Sequence, residues 1–136
     1  MALIAPNDGE QFLLGLMLGN KTQQDFKLRL FVQPTVAPTE NTVFADITEP
    51  SGGGYAAISM PKAGWSVATD GSGVTSAGYA QQTFSFSAAA NVYGYLVTAD
   101  DGATTRILWI ERFSGAPFTL PAGGGAIAIT PKIILD

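Results

Sequence analysis

The residue types that could carry chemistry are few. The chain has no Cys and no His, which removes thiolate and imidazole metal sites, haem held by either, thiol catalysis and every Ser-His-Asp or Cys-His arrangement together. Carboxylates remain. Asp70, Asp100 and Asp101 stand near glycines and could offer oxygen ligands to calcium, but neither run has the ligand spacing of a calcium loop, and Asp followed by Gly is common hairpin chemistry. No pattern marks the close pair of buried carboxylates that glycoside hydrolysis needs. Gly-x-Gly-x-x-Ala occurs twice, at Gly52, Gly54 and Ala57 and at Gly123, Gly125 and Ala128. A dinucleotide site needs a helix after such glycines, whereas strand-like sequence follows both, so they read as turns. Gly19-Asn20-Lys21-Thr22 approximates the end of a phosphate-binding loop, but Asn20 separates the Gly-Lys pair, and a helix stop with a cation near the negative end of the dipole is the simpler reading. Neither a catalytic residue, a cofactor site nor a metal ligand emerges, and a non-enzymatic protein is expected.

The aromatic residues are the other candidates. Trp65, Tyr79, Tyr93, Tyr95, Trp109 and Phe113 could stack on sugars from a sheet face, as in a carbohydrate-binding module. A core role explains them without a ligand, because Phe84 with Phe86, Tyr93 with Tyr95 and Ile107 with Trp109 follow strand alternation.

The elements around these residues fit one domain of 136 residues. Asn7-Asp8-Gly9-Glu10, a short apolar run and Gly19-Asn20 predict a helix of about three turns, capped by Asn or Asp with Glu10 reaching back. Its residues Phe12, Leu13, Leu14, Leu16 and Met17 are apolar nearly all round, so the helix is expected to dock largely on a neighbouring subunit or on the surface of a larger assembly. From Lys27 the period becomes two, with Leu28, Leu30 and Val32 on one buried face. About eight short strands separated by Gly and Pro turns follow, which predicts a mainly β chain: an antiparallel β-sandwich or barrel over 27–136, with an N-terminal helical arm over 1–26. The four consecutive apolar residues Ile107 to Ile110 predict a strand covered on both faces.

Only 13% of residues are charged, against about 25% in an ordinary soluble domain. So thin a coat of charge implies that part of the surface is hidden against other molecules. The net charge is −4 with no basic cluster, which argues against nucleic acid and anionic membranes as partners. The first basic residue is Lys21 and the run Phe12 to Leu18 is too short to span a bilayer, so neither a signal peptide nor a transmembrane segment is expected.

Read end to end, the chain resembles a family of small tailed-bacteriophage virion proteins. The resemblance is carried by Pro6-Asn7-Asp8-Gly9-Glu10, Lys27-Leu28-Arg29-Leu30-Phe31, Pro38-Thr39-Glu40-Asn41, Gly54-Tyr55-Ala56, Gln82-Thr83-Phe84-Ser85-Phe86, Val92-Tyr93-Gly94-Tyr95, Trp109-Ile110-Glu111-Arg112-Phe113 and Ile129-Thr130-Pro131-Lys132-Ile133. It implies a structural subunit made in the host cytoplasm and carried in the virion: a capsid decoration or cement protein that binds the major capsid protein, with a tail fibre, baseplate or adaptor subunit as the alternative. Low charge and a symmetric lattice add the expectation of a homo-oligomer, dimer or trimer. The resemblance implies no cofactor and supplies no site residues.

Overall fold

The computed structural model describes residues 3–35 and 37–135. Met1, Ala2, Val36 and Asp136, which fall within the expected arm and β-domain, lie outside the described residues. Strand outweighs helix, 41% against 13%, so the chain is mainly β, as its alternation predicts. Among the described residues, helix α1 (Asn7–Met17) leads into eleven strands, against the expected number of about eight: β1 (Phe26–Phe31), β2 (Ile58–Met60), β3 (Ser66–Thr69), β4 (Thr75–Gly78), β5 (Gln82–Phe86), β6 (Ala90–Val92), β7 (Gly94–Asp101), β8 (Thr104–Arg112), β9 (Phe118–Leu120), β10 (Gly125–Ile129) and β11 (Lys132–Leu135).

The second half of the chain is one long antiparallel ribbon. Its tip is the turn Gly102-Ala103, where Asp101 faces Thr104 and Gly102 takes φ +64, as the first central residue of a two-residue hairpin loop often must. Away from the tip the same two strands stay in register through Gly94 with Arg112, Ala90 with Leu120, Gln82 with Ile129 and Thr75 with Leu135. Short interruptions divide this ribbon into β7–β8, β6–β9, β5–β10 and β4–β11. To it the first half adds strands at both ends: β1 pairs with β7 and β2 with β1, while β3 pairs with β4.

The interruptions let the ribbon cover its own core. Phe84 and Phe86 of β5 and Ile127 and Ile129 of β10 join Leu28, Leu30, Val97 and Trp109 of the four-stranded sheet in one buried cluster, a sandwich-like arrangement. Tyr55 stacks on Phe84 and Phe86 at its margin. The sheet's other face holds Phe31, Leu96, Ile107 and Ile110, covered by Ile4, Phe44, Ile47 and Tyr93. β1 therefore buries Phe31 as well as Leu28 and Leu30, correcting the expectation of one buried face. The cause is the loop around the 3-10 turn Phe44–Asp46, which closes over the side that alternation leaves to solvent.

A β-bulge explains the run Ile107 to Ile110. Val97 faces Trp109 while the next residue, Thr98, faces Ile107, so Leu108 is the extra residue of β8. Trp109 and Leu108 enter the main cluster, and Ile107 and Ile110 enter the second. Tyr93 and Tyr95 are not together, because the ribbon breaks at Tyr93: Tyr95 joins the main cluster and Tyr93 the opposite one.

Candidate interaction surface

Helix α1 begins after Pro6, whose φ of −65° suits a helix start. Among the described residues no side chain caps it, which corrects the expected Asn or Asp cap. Asn7 is instead drawn to the loop at Glu40 and Asn41, its backbone N–H donating to the Glu40 carbonyl (2.8 Å) and its side-chain amide to Asn41 (3.3 Å). The end follows the sequence reading: Gly19 takes φ +76, its N–H donates to the Leu16 carbonyl, and the Asn20 N–H reaches back to Gly15 at 2.7 Å, a Schellman stop.

The helix lies against β8 at the bulge, and Gly9 makes that approach possible. A Cβ at position 9 would sit 2.2 Å from the Ile107 carbonyl oxygen and 2.8 Å from Leu108 Cα. Phe12, 2% exposed, and the half-buried Leu13 and Leu16 pack into the main core. Three of the five helix residues expected at an interface are thus tied to the chain's own β-domain, because the bulge gives the helix a seat at the sheet edge. The other two, Leu14 and Met17, face outward with Leu18, at 55%, 76% and 70% exposure.

A chain of ion pairs borders this apolar patch. Arg106 of β8 bonds Asp8 in the first turn of α1 and reaches Asp101 at 3.4 Å, and Lys21, just past the helix, meets the same Asp101 oxygen at 2.8 Å. The hydrogen bond from Lys21, with Arg106 adding to it, holds the Asp101 carboxyl below its usual range. The pairs clamp both ends of α1 to the tip of the β7–β8 hairpin and leave a groove between Leu14, Leu18, Lys21 and Arg106. The surface is apolar at its centre and charged at its border, with the Asp8 and Asp101 carboxylates already engaged.

Several other carboxylates are structural too. Asp100 accepts from Lys27 at 2.9 Å and from Thr105, and Lys27 holds its carboxyl below the usual range. Asp70 accepts from the Ser72 hydroxyl and from the Ser72 and Val74 backbone N–H groups, which depresses it as well and fixes the β3–β4 turn. Glu49 takes a bond from Arg29 (2.9 Å) and one from the Tyr55 hydroxyl (2.6 Å). The same hydroxyl accepts the Leu30 N–H at 3.0 Å, satisfying β1 beyond the last residue that β2 reaches. Burial pushes the Tyr55 and Tyr95 phenols above their ordinary value, and the carboxylates that accept their hydrogen bonds, Glu49 and Glu111, reinforce the shift.

The aromatics considered for sugar stacking are packed inward to differing degrees. Trp109 and Tyr95 are buried, and Trp65 stands half-buried among Phe26, Tyr79 and Trp109 at ring distances of 5.9, 5.2 and 5.9 Å. Both glycine motifs lead into extended chain, with Gly52, Gly53, Gly54 and Gly124 at positive φ. Lys21 of the loosely P-loop-like run serves Asp101.

Sequence reasoning missed the clamp, because its pairs join residues 80 and 98 positions apart, although Asp8, Lys21 and Asp101 each stand in a local motif of their own. A comparison with protein-family models, curated proteins and solved structures finds no match to this chain.

Proposed function

We propose that this protein is a structural subunit of a tailed-bacteriophage virion, a non-enzymatic decoration or cement protein that adheres to the major capsid protein and assembles with its own copies. The observation that carries the reading is the outward face of α1. Leu14, Met17 and Leu18 are presented on a helix held to a β framework by Phe12, the Gly9 contact and the Asp8–Arg106 pair, so the patch is placed before any partner arrives. The family resemblance and the thin charge coat support the same reading. Covering a large apolar side chain contributes about 1.5–3 kcal/mol, and a cement protein repeats such contacts across every lattice joint.

Leu14→Asp tests the interface. Leu14 is more than half exposed, so the variant should keep its melting temperature within a few degrees while its recovery on capsids lacking the native protein falls at least tenfold. Unchanged recovery would refute the role of this face. Unfolding of the whole variant would show that Leu14 belongs to the core.

A further inference from the structure

We infer that β3 is a self-pairing edge through which two copies of this chain join antiparallel about a two-fold axis. The direction of its backbone groups follows from the hairpin register. Asp70 donates to the Val74 carbonyl at 2.9 Å, so Asp70, Ala68 and Ser66 turn their N–H and C=O groups toward β4. Val67 and Thr69 must then point theirs away. On the far side of β4 the Tyr79 N–H donates to Pro131, which agrees with this alternation.

The other edges of the four-stranded sheet and of the β3–β4–β11 sheet carry protection that β3 lacks. β8 is bridged by Ile4 and overlain by α1, β1 beyond β2 is capped by the Tyr55 hydroxyl, β2 ends at Pro61, and β11 begins after Pro131 with Lys132 on its outer edge. β3, Ser66-Val67-Ala68-Thr69, holds no charge and no proline, all four of its residues are exposed, and Val67 is 73% exposed. Such a strand is a template for another strand.

A second copy is the occupant that this edge fits. Val67 and Thr69 are symmetric about Ala68, so a two-fold sets Val67 opposite the partner's Thr69 and Thr69 opposite the partner's Val67. Each opposed pair exchanges two backbone hydrogen bonds and matches two β-branched side chains. Ala68 meets the partner's Ala68 at the close, non-hydrogen-bonded position, where a small side chain suits. Although the chain carries a net −4, no charge lies within the paired strands, and Asp70 of each copy falls opposite the uncharged Ser66 of the other. The two three-stranded sheets would become one sheet of six. A four-residue edge buries far less than the ~1,200 Å² of a stable interface, so pairing is weak in free solution and gains from copies held side by side on a surface. The inference stands on the strand itself and does not rest on the virion reading.

The chain has no cysteine, which makes cross-linking a clean readout. In Ala68→Cys the two Cα atoms would lie about 4.5 Å apart, within the range a disulfide spans. Under mild oxidation the purified variant should form covalent dimer at least tenfold faster than Ala122→Cys, an exposed loop control. Adding Val67→Pro should abolish that advantage with the circular dichroism spectrum unchanged, since the lost N–H points to solvent; Val67→Lys replaces it if the proline variant fails to fold. Cross-linking no faster than the control, or undiminished by either change at Val67, would overturn the proposal, as would its loss in Ala68→Cys combined with Leu14→Asp, which would place the contact on α1.

Discussion

The seating of α1 on the β8 bulge makes Gly9 the position where a single methyl group should cost most in the helix. An added Cβ would lie 2.2 Å from the Ile107 carbonyl oxygen and 2.8 Å from Leu108 Cα and its carbonyl oxygen. These are backbone atoms, so no rotamer change relieves the contact, and the helix must withdraw by about 1 Å, opening space beneath Phe12. Overpacking of this kind costs about 3 kcal/mol at the upper end of its range, while replacing glycine by alanine within a helix returns about 1 kcal/mol. The net expectation for Gly9→Ala is a loss of about 2 kcal/mol, or roughly 6–10 °C in Tm for a domain of this size. Gly15→Ala is the matched control, since its Cβ meets Lys21 Cγ at 2.5 Å, a side chain that can swing aside. That movement gives up an exposed ion pair contributing about 0–1 kcal/mol, so Gly15→Ala should lie near wild type. Thermal melts followed by circular dichroism, with urea titrations to confirm an unchanged slope, measure both. A Gly9→Ala protein as stable as wild type would refute the close seating of the helix.

Tyr55→Phe should destabilise by about 1–2 kcal/mol in urea titration, because the Leu30 N–H and Glu49 both lose a partner; no change would mean that water replaces the hydroxyl without loss. Asp100 and Asp101 are depressed below their ordinary 3.8, so their contribution is complete above that value and disappears as pH falls through the lower folded-state values. Melts should therefore show no loss from these two groups between pH 7 and pH 5 and a loss below about pH 4, smaller in Asp101→Asn. The raised Tyr55 and Tyr95 phenols act at the other end, their contribution being present below their ordinary 10.0 and lost above it, so stability should fall from pH 10 upward and fall less in Tyr55→Phe. Gly94→Ala should cost at least as much as Gly9→Ala in the same melts, because its Cβ would lie 2.2 Å from the Glu111 carbonyl oxygen and 2.4 Å from the Phe31 ring.

The features legible in the sequence were those set by short-range physics. Alternation at Leu28 and Leu30 and at Phe84 and Phe86, the glycine turns and the Gly19-Asn20 stop each depend on a few neighbouring residues, and each stands where the pattern puts it. What needed the three-dimensional chain was set at long range. The bulge at Leu108 is invisible in a run of four apolar residues, the second burial of β1 depends on a loop some fifteen positions away, and Asp8 finds Arg106 across most of the chain. The helix shows the boundary well. Its apolar set says that it must dock, but only the seat at β8 divides Phe12, Leu13 and Leu16 from the outward Leu14 and Met17. The ribbon escaped a strand-by-strand reading because its interruptions look like ordinary turns.

The central claim, that this is a structural subunit of a virion shell, is tested most directly by counting copies per particle with quantitative mass spectrometry of purified virions, calibrated against the major capsid protein. The proposal predicts hundreds of copies per particle, in fixed ratio to the shell. A few or a few dozen copies would contradict placement on the shell and move the protein to the tail, and absence from the particle would contradict the virion reading altogether.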